Sequence, residues 1–278
     1  MTPYAFRIVN VFAESRLAGN PLCVFEDADG LDDATMQALA LQFNLSETTF
    51  VWPSERATAR VRIFTPTFEM PFAGHPTLGT AHVVRSFHAT GDRITLEMKA
   101  GVIRVEAHGD LWTLEANAPR HREPETPREV LAAMLGIPHQ EILDRPLWVD
   151  TGSDQLVIPL ASRGAVERVA PTPDAMLRLA ANESRAMAYV FAREDDSVLA
   201  RYFFLQHGAL LEDPGTGSAC ANLGGWLLVT GASLPQRVTV DQGEAVGRRC
   251  RLGLEVTTDR RIRVSGRVVE LARGALTL

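Results

Sequence analysis

At 278 residues the chain is long for one compact domain and comfortable for two, and 46% hydrophobic with 22% charged residues is a soluble globular composition. A net charge of −6 with scattered basic residues argues against a nucleic-acid partner, and no run approaches the roughly 18 apolar residues of a membrane span. Lys99 is the sole lysine, which rules out the Gly-rich-loop-plus-Lys phosphate motif and leaves one Schiff-base candidate, itself read as a solvent-facing strand residue.

In chain order, residues 4–12 and 21–26 read as strands separated by a Gly-Asn-Pro turn. A helix of about three turns follows, capped by Asp32 or Asp33, with Met36, Leu39, Ala40 and Phe43 on its apolar side and Asn44 as its stop. "ETTFVW" and "ARVRIF" are short strands, and "FAGHPTLGTAHVVRSF" is a Gly-rich loop opening a helix. Alternating runs at 93–98, 101–107 and 111–116 complete the first half. The Pro-rich, charged stretch 118–129 reads as a linker, which divides the chain into domains 1–118 and 119–278.

Beyond that stretch the order of elements returns: "LWVDTGSDQLVIPL" as strands, "TPDAMLRLAAN" as a helix, "AMAYVFA" and "LARYFFL" as strands, and "DPGTGSACANLGGWLLVTG" as a second Gly-rich loop opening a helix. Laying 59–84 on 200–225 without a gap matches Ala59 with Ala200, Arg60 with Arg201 and Gly74 with Gly215, an internal duplication. The last strands extend the second half, and the final one is read as crossing back to the first.

Cys23, Cys220 and Cys250 stand far apart in no C-x-x-C pair, so neither a disulfide framework nor a zinc site is expected. His75 and His82 are seven residues apart, too far for a chelating pair on a helix, and no metal is expected. The N-terminus lacks the basic start and long apolar run of a secretory signal, which points to the cytoplasm.

Chemistry concentrates in three places. Glu47 is the one charge between Asp33 and Glu55; alone it would be a helix-cap partner or an exposed residue at a strand head. Its apolar neighbours Leu45, Phe50 and Val51 would desolvate the carboxyl and raise its pKa, suiting it to accept and donate a proton. The helix starts at Gly74 and Gly215, with Gly217 close by, present unpaired N–H groups suited to an anion. Beside them stand His75 in the first loop and Asp213, Thr216 and Ser218 in the second, Thr216 being equally readable as a plain N-cap.

"LAGNPLCVFEDADGL", "MQALALQFNLSETTFV", "ARVRIFTPTFEMPFAGHPTLGTAHVV" and "DPGTGSACANLGGWL" resemble the PhzF-like isomerase family of phenazine biosynthesis, with its diaminopimelate epimerase-like fold. The resemblance is densest over 6–84 and 212–228. It implies an α+β protein of two pseudo-symmetric domains, each a barrel-like, mostly antiparallel sheet around a central helix, with the active site between them and a homodimeric assembly. It further implies cofactor-independent proton transfer on a small carboxylate-bearing substrate. Glu47 would be the acid/base, His75, Asp213 and Ser218 would position substrate or assist the proton, and Ser46 with the backbone at Gly74, Gly215, Thr216 and Gly217 would bind its polar groups. Cysteine-pair epimerases of this fold carry a thiol in each loop; Ala73 and Pro214 are read at those positions here. "VDQGEAVGRRC" resembles the family's Gln-Gly region, with Arg249 and Cys250 where proline and serine are common. Two alternatives stand beside the isomerase: an epimerase or racemase of a small amino acid, with Asp213 as second base, and a non-catalytic small-molecule binding protein.

Overall fold

A computed structural model of the chain describes residues 3–88, 91–182, 185–206 and 208–278, which divide into two compact units, Met1–Glu115 with Ser265–Leu278, and Ala116–Val264. The fold is α+β. In the first unit β1 (Pro3–Val11) and β2 (Asn20–Phe25) form an antiparallel pair, and α1 (Asp33–Phe43) crosses over to β3 (Glu47–Trp52), which lies parallel to β2. Asp32 caps α1 by accepting from the Thr35 N–H, and Asn44 closes it in the left-handed conformation, which asparagine tolerates better than most residues. β4 (Ala59–Phe64) and the short β5 (Glu69–Met70) make a hairpin, α2 (Gly74–His88) follows, and β6 (Arg93–Met98), β7 (Gly101–His108) and β8 (Leu111–Glu115) form a meander. Lys99, read as a strand residue, is exposed in the turn between β6 and β7.

The second unit starts with β9 (Arg120–Arg122), α3 (Arg128–Leu135), β10 (Leu147–Asp150) and β11 (Asp154–Pro159). The stretch read as a linker is therefore structured: β9 pairs with β10, and Arg120 and Arg122 reach Asp150 and Asp154, each at 2.7 Å. The prolines that suggested a linker flank β9 and cap α3, positions where the missing N–H costs nothing. Next come α4 (Arg163–Arg168), α5 (Pro173–Leu179), β12 (Met187–Glu194), β13 (Ser197–Gln206), β14 (Ala209–Asp213), α6 (Gly217–Val229), β15 (Gln236–Gln242) and β16 (Cys250–Val256). β17 (Ile262–Thr277) is one strand of 16 residues, and it pairs antiparallel with β1 and also with β8.

Those pairings close the first sheet on itself through β1, β2, β3, β4, β6, β7, β8 and β17. A closed barrel leaves no strand edge unpaired. The central helix α2 packs against strands all round it, which is why every residue from His75 to Ala81 is buried. Gly79 is where barrel and helix come closest: a Cβ there would lie 2.6 Å from Leu22. Outside, α1 covers β3 and β4 over an aromatic cluster in which Phe25 stacks on Phe50 at 5.0 Å.

The duplication is visible in the pairing pattern. β10, β11, β12, β13, β15 and β16 repeat the antiparallel, parallel, antiparallel, parallel, antiparallel sequence of β1, β2, β3, β4, β6 and β7, and α6 packs on β10, β11 and β16. Arg62 clasps Glu69 across the β4–β5 hairpin and lies over the Phe64 ring; Arg201 clasps Glu212 across β13–β14 and lies over Phe203. The first pair is 7 residues apart and the second 11, so the second hairpin is longer. The gap-free overlay therefore slips: α6 opens at Gly217, not Gly215, and Gly217 and Thr216 are the counterparts of Gly74 and Ala73. Phe64 pairs with Thr48 and Phe203 with Ala188, which puts Met187 at the place of Glu47.

Candidate active site

In the first unit the turn that ends α1 delivers Ser46 and Glu47 to the head of β3, where parallel pairing sets Glu47 beside Leu22 of β2. His75, the second residue of α2, meets it: Nε2 lies 3.2 Å from Glu47 Oε2. The two side chains are only 6% and 14% exposed, so the exposed-strand reading of Glu47 does not hold. The contact is close without being an aligned hydrogen bond, a common condition of acid/base groups before a substrate is bound. On the other side of the ring, Asn20 Nδ2 stands 3.4 Å from His75 Nδ1, and Ser46 Oγ donates to Asn20 Oδ1 at 3.1 Å. Asn20 is fully buried and was legible only as part of a Gly-Asn-Pro turn.

Burial lowers the His75 pKa to about 3, the Pro21 carbonyl opposing it only in part. The imidazole is thus neutral at physiological pH, and its contact with Glu47 is that of a polar donor or acceptor, not an ion pair. A pH dependence of stability follows. Between the ordinary value of 6.5 and about 3, the unfolded chain binds a proton that the folded chain refuses. Stability is therefore full above pH 6.5 and falls below it, by about 1.4 kcal/mol per pH unit from this group. Urea unfolding between pH 7 and 5 should show a steeper loss for the native protein than for His75→Asn; equal slopes would refute it.

The second unit holds another set. Asp213 ends β14, and its Oδ2 accepts from Thr216 Oγ1 at 2.5 Å. Thr216 occupies the N-cap position of α6, yet its hydroxyl turns to Asp213 instead of accepting from the helix, so the simple N-cap reading fails. Gln242 clamps this turn: Nε2 donates to the Asp213 carbonyl at 2.8 Å and to Thr216 Oγ1 at 3.0 Å, and Oε1 accepts from the Thr216 N–H at 3.3 Å. Gly215 lies within the turn and Gly217 opens the helix. Ser218 is held by Gln155 Nε2 at 3.0 Å, and Gln155 Oε1 accepts from the buried Asn222. Gln155 and Asn222 escaped the sequence reading, and Gln242 entered it only within the Gln-Gly resemblance; Gln242 and Asn222 each had a signal. Gln242 continues the inward alternation of Val238 and Val240, and Asn222 is a buried polar residue in a helix whose other buried residues are Ala, Cys, Leu and Gly.

The three thiols are free and buried, and burial pushes each well above the usual thiol range. The residues preceding Gly74 and Gly217 are Ala73 and Thr216, neither of them a thiol. Among the described residues no group of three or more His, Cys, Asp or Glu side chains is placed to hold a metal ion, and no helix is long and apolar enough to cross a membrane.

The family model described as "Phenazine biosynthesis-like protein" matches residues 9–274. An uncharacterized isomerase of Pasteurella multocida is 37% identical over 99% of this chain and 95% of its own length. A trans-2,3-dihydro-3-hydroxyanthranilate isomerase of Pseudomonas chlororaphis is 34% identical over 98% of both chains. The crystal structure of a PhzF-family phenazine biosynthesis protein of Bacillus anthracis superposes with a TM-score of 0.89 over 100% of both chains at 23% identity, a likeness of fold. With a family match across nearly its whole length and full-length relatives named as isomerases, the chain belongs to the PhzF family of isomerases.

Proposed function

We propose that this isomerase moves a proton between carbons of a small, cyclic, unsaturated carboxylic or amino acid, using Glu47 as its acid/base and no cofactor. The observation that carries the reading is the Glu47–His75 contact: a carboxylate 14% exposed, 3.2 Å from an imidazole that burial keeps neutral. A carboxyl so placed can take a proton from one carbon and return it to another, because little water competes for the charge or the proton. The α2 terminus at Gly74, adjoining His75, offers partial positive charge to the substrate's carboxylate, and its N–H donors are fixed before the reaction begins. Asp213, Thr216, Gly217 and Ser218 of the second unit supply a matching inventory, an acceptor for an ammonium or hydroxyl group and a second helix start.

The substrate class follows the relatives, one of which is named for trans-2,3-dihydro-3-hydroxyanthranilate, a ring acid of this description. That compound is the first to test, in deuterated water, with the product read by NMR. Conversion with solvent deuterium at a ring carbon is the expected result. Binding without any exchange would replace the enzyme with a receptor, and exchange with loss of chirality would make it an epimerase.

A further inference from the structure

We infer that Gln155 is a positioning residue that fixes the polarity of Ser218, so that the serine accepts from the protein and keeps its own hydroxyl proton for the substrate. This rests on the function proposed above for its catalytic consequence, though not for the direction of the hydrogen bonds.

That direction is set by backbone groups whose roles cannot be exchanged. The Thr151 N–H can only donate, and it meets Asn222 Oδ1 at 2.9 Å; the Ser153 carbonyl can only accept, and it meets Asn222 Nδ2 at 2.8 Å. The Asn222 amide therefore has one orientation. Its Nδ2 also reaches the Gln155 amide at 2.8 Å, which makes the atom there the acceptor Oε1 and turns Nε2 the other way. That nitrogen stands 3.0 Å from Ser218 Oγ and 3.2 Å from the Tyr202 hydroxyl oxygen, one partner for each of its two protons, with Ser153 Oγ further off at 3.5 Å. Ser218 Oγ thus accepts, and its own proton points away from Gln155. Among the described residues no side chain or carbonyl takes that proton. Gln155 is only 2% exposed and Asn222 fully buried, so both act through the half-buried Ser218.

The internal repeat shows that the fold does not require these amides. Gly217 and Ser218 are the counterparts of Gly74 and His75, which puts Asn222 where α2 has Gly79. Thr48 pairs with Cys23, and its counterpart Ala188 pairs with Leu156, which puts Gln155 where β2 has Leu22. In the first unit this strand–helix contact is the apolar approach of Leu22 to Gly79; in the second it is a hydrogen-bonded pair of amides. Two buried amides that satisfy each other add little stability over an apolar pair of the same shape. What they add is a fixed donor aimed at Ser218, the residue that holds the place of His75.

Neutron diffraction from crystals of the ligand-free protein in deuterated buffer reads the direction outright. The Gln155 Nε2 deuterons should lie toward Ser218 and Tyr202, and the Ser218 deuteron away from Gln155. A Ser218 deuteron pointing at Gln155 overturns the assignment, whatever the substrate proves to be. Turnover of trans-2,3-dihydro-3-hydroxyanthranilate reads the consequence. Ser218→Ala should lower kcat/KM on the order of 10-fold, mainly through KM, because one hydrogen bond to the substrate is lost. Gln155→Met keeps the length and removes the donor; it should lower kcat/KM by a similar factor, and the double variant should lose no more than either single one. Losses that multiply would make Gln155 a structural residue, and native kcat/KM in Gln155→Met would remove it from the site. A native enzyme inert toward this compound would count against the function proposed above, and the neutron map would still decide the polarity of Ser218.

Discussion

Glu47→Gln should abolish proton transfer almost entirely while leaving the fold intact. Glutamine keeps the size and the hydrogen-bonding capacity of glutamate but can neither take nor give a proton at neutral pH. Removing a positioned acid/base costs ~10²–10⁴-fold, and a drop of about 10³-fold in kcat is expected here, with thermal stability changed by no more than about 1 kcal/mol. The small stability effect follows from the surroundings: the neighbouring imidazole is neutral, so no ion pair is lost. Glu47→Asp, which retains the acid but withdraws it from His75, should keep a measurable fraction. Full turnover by Glu47→Gln would remove Glu47 from the mechanism, and a collapse of stability in both variants would recast it as a structural residue.

The largest expected effect on stability is at Gly243. It adopts a left-handed φ of +82°, and a Cβ there would lie 2.3 Å from the Arg248 carbonyl oxygen and 2.4 Å from that of Pro214. Neither is a flexible side-chain end, so backbone must move. The conformation alone costs an ordinary residue about 1–2 kcal/mol, and the overlap adds to it. Gly243→Ala should therefore lose about 3–5 kcal/mol in urea unfolding, which corresponds to roughly 6–20 °C in Tm for a unit of this size. Because Pro214 follows Asp213 directly and Gln242 precedes Gly243, the variant also loosens the clamp on the Asp213–Ser218 turn, and KM should rise even at temperatures where the protein stays folded. A loss under about 1 kcal/mol would show that the turn relaxes freely and that its geometry is not held from Gly243.

Strands and helices were legible wherever period was strong. The alternation at 93–98 and 101–107 and the capped run at 33–43 appear in the structure within a residue or so. Failures came where local signals compete: prolines around β9 read as a linker because the partner strand β10 lies far along the chain. The overlay of the two halves slipped because the longer β13–β14 hairpin is invisible without the Arg–Glu clasps that mark equivalent positions.

The site divides in the same manner. His75, Asp213 and Ser218 stood out beside Gly-rich helix starts and Glu47 as the one charge in a neutral stretch, all of them local features of the chain. What the sequence alone determined was the duplicated α+β architecture, the family, and the candidate groups. Only the tertiary structure decided which groups touch: that Glu47 meets His75, that Asn20 and Ser46 stand behind the ring, and that Thr216 turns from capping α6 to binding Asp213. The reason is physical. Composition and periodicity record which faces are buried, whereas a hydrogen-bond partner 26 or 55 residues away is set by strand register and helix placement. Those arise from the closing of the sheet around its central helix as a whole.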